Sequence, residues 1–227
     1  MTLTSTSLTR AAGVAATAAG VLFIGVQINH PHLDADTIQT TEMAVRGTGK
    51  VLMAVLALAG ITGMYLSQVR RNGILGLIGY LVLSVGYLTI MGTAYAAAFV
   101  LPAVAAADPG YVNDAIAATT GGSPTGDIGL LATVAHVQDL AYLAGGVLFG
   151  VALFRARVLA RWATVLLAVG GAVSAALSMM PDAFYRLLAF PNGLAMIGLG
   201  YSLWRVQRHA VEQLREAIEA RPEQAAA

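Results

Sequence analysis

Apolar residues run through this chain in long blocks, not in the short alternation of half-buried strands. Six blocks are long enough to cross a bilayer as helices: residues 9–28, 50–69, 73–101, 129–153, 159–180 and 184–204. A span needs about 20 mostly apolar residues. Polar punctuation separates the blocks, namely QINHPHLDAD at 27–36, RRNG at 70–73 and a Pro- and Gly-bearing stretch at 102–128. The predicted fold class is all-α: a polytopic bundle of six transmembrane helices over residues 1–204, followed by a cytoplasmic amphipathic helix and tail at 205–227. In the tail Val211, Leu214 and Ile218 share a face, and Arg208–Glu212 and Arg215–Glu219 are i, i+4 pairs, as in helices that lie in the membrane interface. Arg10 ahead of the first block gives it the look of a secretory leader. No small-residue cleavage site follows, so it is read as a retained span.

Local signals refine this outline. Pro31 is expected to end the first helix, since proline disfavours helical geometry in the residue before it. Asp36 or Thr37 is expected to cap the second. Glu42, Arg46 and Lys50 then fall at i, i+4 and i+8. They form either a solvated salt-bridge ladder or a face turned over the outer mouth of the bundle. Ala12, Ala16 and Gly20, the Gly146/Gly150 pair, and Gly170, Gly171 and Ser174 are packing positions, because small residues let helices approach closely in lipid. AAADPGYVNDAIAATT predicts a short surface helix within an external loop. Pro191-Asn192-Gly193 predicts an interruption inside span six.

Composition agrees with the pattern: 57% of residues are hydrophobic, 11% are charged, and mean hydropathy is +0.72. Soluble domains carry about 25% charged residues. The absence of cysteine excludes disulfide and thiolate chemistry, and a net charge of +1 implies no nucleic-acid partner. Arg10, Arg70, Arg71, Arg155, Arg157, Arg161, Arg205, Arg208, Arg215 and Arg221 fall on one side of the six-span arrangement, against Arg46, Lys50 and Arg186 on the other. Lys/Arg excess marks the cytoplasmic side, so both termini are expected inside a multi-pass protein of the plasma membrane. Outside the tail, the carboxylates Asp34, Asp36, Glu42, Asp108, Asp114, Asp127, Asp139 and Asp182 collect in the outer half.

Span four carries the costliest residue. His136, Asp139 and Tyr142 follow one another at three-residue spacing, and Asp139 is expected roughly 15 Å into the helix. A charge there costs at least about 2.5–3.5 kcal/mol on insertion scales and marks a functional site by default. The candidate catalytic residues are Asp139, His136, Glu42 and His32. The candidate substrate-binding residues are Gln27, His30, Tyr87, Tyr95, Tyr142 and Asn192. Together they would line an outward-opening polar pocket with an oily floor. Low dielectric disfavours the charged form of a carboxyl, which makes Asp139 the expected proton donor to an isoprenoid or similar lipid. His136, Glu42 or His32 would take the final proton, and tyrosine faces would stabilise a carbocation.

With its QINHP mouth and an aspartate in span four, the chain resembles the bacterial membrane-bound terpene cyclases of indole-terpenoid (drimentine-type) pathways, and small six-span actinobacterial membrane proteins more broadly. The resemblance implies cyclisation of a prenyl chain by buried acidic residues. Two other readings stand beside it. One is an intramembrane metal-dependent lipid hydrolase using His30, His32, His136 and Asp139, residue types that zinc accepts. The other is a non-enzymatic transporter or lipid-binding protein, which an intramembrane acid and a broken helix would suit. The favoured reading needs no cofactor and no metal. Its partners are the bilayer and a hydrophobic small molecule, with self-association left open.

Overall fold

The computed structural model describes residues 4–177 and 189–219. Asp182, Arg186, Arg221 and Glu223, with the ends of the expected fifth and sixth spans, lie outside the described residues, as do the side chains of Ser174, Val211, Leu214, Ile218, Arg215 and Glu219. What is described is helical: α1 (Ser5–Gly25), α2 (Thr41–Ser67), α3 (Val69–Tyr95), α4 (Leu101–Ala105), α5 (Pro109–Thr119), α6 (Leu131–Ala156), α7 (Arg161–Leu177) and α8 (Ala189–Glu219). A 3-10 turn at Thr37–Gln39 and a π-helical segment at Ala96–Val100 complete the set. Four stretches, Ser5–Gly25, Thr41–Ser67, Val69–Ala105 and Leu131–Ala156, are long and apolar enough to cross a membrane, and α7 adds a shorter apolar helix. This is a helical membrane bundle.

The six long helices close into a ring in chain order, each antiparallel to the next. Small residues set every seam. Ala16 of α1 meets Gly60 of α2, while Ala12 meets Gly63, so residue numbers rise on one helix as they fall on the other. Gly13 and Gly20 turn the opposite side of α1 onto Gly200 and Gly193 of α8. Across the ring Gly86 of α3 lies so near α6 that a Cβ there would stand 2.9 Å from the Tyr142 Cα. Lipid tails are as apolar as leucine, so no hydrophobic force drives these helices together. Close van der Waals packing between small residues does. The ring's interior is filled by Met53, Ile61, Leu83, Tyr87, Phe149 and Leu199, among others. Large apolar side chains such as Leu52, Ile74, Leu81, Leu88 and Trp162 point outward, as lipid-facing residues do.

Local chemistry places the ends. Thr4 and Ser7 form a reciprocal capping box at the start of α1. The helix ends at Gly25, before the expected 28. A turn through Asn29, whose φ is +49°, precedes Pro31. Asp36 and Thr37 do not cap α2. Thr40 does, its hydroxyl accepting from the Met43 N–H at 3.3 Å. Between α2 and α3 the chain reverses through Gln68 and Gly73, the latter at φ +58° and ψ −158°.

Helix α3 runs on through the π segment into α4. Pro102 has no N–H for the Ala98 carbonyl four residues back. The turn widens there, and the Leu101 N–H reaches the Ala96 carbonyl instead. Asp108 caps α5, the expected surface helix, by accepting from the Tyr111 N–H at 2.9 Å, with Pro109 in the first turn.

Two expectations change at the C-terminal end. Residues 189–193 run as continuous helix within α8, so the described residues show no interruption at Pro191-Asn192-Gly193. The amphipathic tail is not a separate element. Helix α8 continues unbroken to Glu219 over 31 residues, roughly 46 Å at 1.5 Å per residue.

Candidate functional site

The end of the ring at which α1 finishes and α2 begins holds a cavity of about 360 Å³. Its floor is apolar: Phe23 of α1, Met53 of α2, Ile90 of α3, and Tyr142 and Leu143 of α6. Its upper wall is polar, with Gln27, His30, Arg46, Lys50, Thr93, Gln138, Asp139 and Asn192. A small cap lies over it. The 3-10 turn and helices α4 and α5 share an apolar cluster of Ala35, Ile38, Leu101, Ala105, Val112, Ala115 and Ile116. Ile38, Thr119 and Thr120 of this cap also line the cavity.

Polar bonds tie the cap together. The Asn113 side chain accepts from the Ala35 N–H at 2.9 Å, joining the loop after α1 to α5. The Asp34 carboxylate accepts from the Thr37 and Asp36 N–H groups at 2.7 and 3.0 Å and from the Thr37 hydroxyl. The bonds from Thr37 are the main reason its carboxyl is held below the usual range. Asp114 accepts from the Thr125 and Gly126 N–H groups at 2.7 and 2.8 Å, which likewise lowers its carboxyl. Both acids close loops, and neither lines the cavity.

On the α1–α2 side, the Arg46 guanidinium donates to the carbonyls of Val26, Ile28 and Asn29 at 2.9, 3.0 and 3.2 Å. These lie past the C-terminal end of α1, where helix carbonyls lose their partners. The same guanidinium pairs with Glu42 at 2.8 Å. The ladder alternative therefore holds for Glu42–Arg46, while Lys50 turns into the cavity. The Lys50 ammonium stands 3.3 Å from His30 Nε2, and His30 Nδ1 lies 2.8 Å from the Pro31 carbonyl. A carbonyl only accepts, so Nδ1 carries the proton and Nε2 accepts from Lys50.

Gln27, His30, Asp139, Tyr142 and Asn192 thus come together as expected residues of one cavity. Asp139 sits on its edge and is exposed rather than enclosed, with no hydrogen bond to any described residue. Asn192 is buried and packs against Gly170, where a side chain would fall on its amide.

The other expected residues stand apart. His136 is exposed, its Nδ1 2.6 Å from the Ala132 carbonyl. His32 is exposed in the loop, and Glu42, though paired with Arg46, is exposed and does not line the cavity. Tyr87 is buried behind the floor, meeting Tyr142 edge-on with ring centroids 5.6 Å apart. Tyr95 is exposed and leans on Phe99.

Helix geometry explains the split on α6. Gln138 and Tyr142 are one turn apart and face inward, whereas His136 is rotated about 200° from Gln138. For the same reason the set proposed for a metal is not assembled. Among the described residues, no three His, Asp or Glu are placed to hold one ion.

Gln138 and Thr93 are the members that sequence reading missed. The Thr93 hydroxyl donates to Gln138 Oε1 at 2.8 Å, and Gln138 is buried. A glutamine in mid-span is a signal of its own, overshadowed by the aspartate beside it. Thr93 carries none, since threonine is common in apolar helices and bonds readily to its own backbone. Comparison with family models, with curated proteins and with solved structures returns no match for this chain.

Proposed function

We propose that this chain is a six-span protein of the plasma membrane, with both termini cytoplasmic, whose outer-end cavity takes up a lipidic isoprenoid for acid-initiated cyclisation. The cavity carries this reading. It joins an apolar floor to a polar wall inside a membrane bundle, with Asp139 at its edge. Its volume of about 360 Å³ is at the lower end of small-molecule sites, which run from about 300 to 1,000 Å³. That suits one prenyl chain better than a whole two-chain lipid.

In the proposed step, protonated Asp139 gives its proton to a substrate alkene. A C–H bond forms and a carbocation appears on the chain. A second double bond attacks it and closes the ring. The carboxylate left on Asp139 then takes a proton from the adjacent carbon, so the product is an isomer of the substrate. This assigns the last proton to Asp139 itself, because His136, His32 and Glu42 do not line the cavity. The faces of Tyr142 and Phe23 are the aromatic surfaces available to the cation.

The exposure of Asp139 favours a second reading, in which the same cavity binds or moves a lipid without chemistry. The two separate on one experiment. Membranes containing the protein are incubated with linear prenyl substrates and the products are analysed for cyclic isomers. Asp139→Asn should lower turnover at least 100-fold, the scale of a lost general acid. Unchanged turnover in that variant ends the acid assignment. Prenyl binding without any isomer supports the non-enzymatic reading.

A further inference from the structure

We infer that Gln138, held by Thr93, is the head-group recognition element of the cavity, and that its ligand is a single-chain amphiphile with a hydrogen-bond-accepting oxygen head rather than a bare hydrocarbon. The inference rests on the reading that the cavity takes a lipid and specifies which kind. Gln138 is only 7% exposed, yet it lines the cavity. A buried amide needs partners for both its ends. Thr93 supplies one, its single hydroxyl proton shared between Oε1 at 2.8 Å and the Ile90 carbonyl at 3.1 Å. The Nε2 end makes no hydrogen bond to a described residue and is not sealed off from the cavity.

An amide anchored at its oxygen presents its N–H groups in a fixed direction. Thr93 is therefore a positioning residue and Gln138 the group that meets the ligand. Tyr142 follows Gln138 by one helical turn, so the donor stands directly above the apolar floor. A ligand with an acceptor oxygen at one end of an apolar chain satisfies both. A hydrocarbon leaves the donor buried and unpaired, which sites of this kind discriminate against strongly.

The test uses the full chain in lipid nanodiscs with a conjugated polyene fatty acid as fluorescent probe, displaced by dodecanoate, dodecanol or dodecane. Dodecanoate and dodecanol should displace it about tenfold more effectively than dodecane, the scale of one hydrogen bond in a buried site. Gln138→Leu should bring the three competitors together while retaining dodecane binding. Thr93→Val should narrow the gap partway, and far-UV circular dichroism checks that each variant is folded. Equal displacement by all three in the wild type overturns the inference and leaves the lipid cavity standing. So does an undiminished head-group preference in a folded Gln138→Leu variant. Preference for dodecanol alone overturns the donor assignment, since a carboxylate only accepts. Failure of the probe to bind overturns the inference and the lipid-cavity reading together.

Discussion

Arg46 shows how one side chain can serve two elements. It is the middle member of the Glu42–Arg46–Lys50 spacing, and its pair with Glu42 is an exposed i, i+4 contact. Such pairs contribute about 0.3–0.5 kcal/mol. Its bonds to the Val26, Ile28 and Asn29 carbonyls are of another kind. They satisfy acceptors that the end of α1 leaves open, with a charged donor whose side chain is 17% exposed. Hydrogen bonds to charged groups contribute roughly 1.5–3 kcal/mol. Arg46→Met should therefore destabilise the bundle by about 1.5–3 kcal/mol, and Glu42→Gln by less than about 0.5 kcal/mol. Chemical unfolding in detergent checks both, and equal losses would show that the ion pair, not the helix end, is what Arg46 serves. The sequence spacing made the ladder legible. The carbonyls were not, because no side-chain pattern marks where α1 runs out.

At the scale of elements, the cap depends on two acids whose carboxyls are lowered by N–H donors. Asp34 is held chiefly by Thr37, and Asp114 by Thr125 and Gly126. A carboxyl whose folded pKa is depressed contributes stability that is present above its unfolded value, here near 3.8. That contribution is lost as pH falls through the lower folded value. The cap should stay ordered from pH 7 down to about 5 and loosen below about 4, first in residues 31–40 and 108–128. Hydrogen exchange in those segments reads this directly. Asp34→Ala and Asp114→Ala should each show the loosened exchange already at pH 7. Uniform protection down to pH 3 would mean that the apolar cluster alone holds the cap.

The elements differ in how far they could be read from sequence. Apolar blocks placed α2, α3 and α6 well, and the AAADPGYVNDAIAATT stretch placed α5. The π segment was missed because it follows from what Pro102 denies to Ala98, a backbone effect that leaves no apolar signature. In the site, the three-residue spacing of His136, Asp139 and Tyr142 predicts that stripe as the inward face of α6. Three-residue steps drift around a helix, and the face actually presented runs through Gln138 and Tyr142, with Asp139 at its edge.

For the whole molecule, a ring of six antiparallel helices has a consequence that can be checked from outside. Closure of α8 onto α1, with alternation all the way round, requires an even number of long helices and puts the start of α1 and the finish of α8 at the same end of the bundle. Arg10, Arg70, Arg71, Arg155, Arg157, Arg205 and Arg208 belong to that end by their places in the helices, while the cap and cavity belong to the other. On the orientation proposed above from Lys/Arg bias, the cap is expected outside the cell. The chain has no cysteine, so single cysteines report cleanly. Ser123→Cys in the loop before α6 should react with a membrane-impermeant maleimide on intact cells. Ser5→Cys, Arg71→Cys, Arg155→Cys and Glu212→Cys should react only after the cells are permeabilised. Labelling of Glu212→Cys but not Ser5→Cys on intact cells would mean an odd number of crossings, with the ring opened in the membrane. Labelling of all four with Ser123→Cys protected would keep the ring, invert it, and turn the cavity toward the cytoplasm.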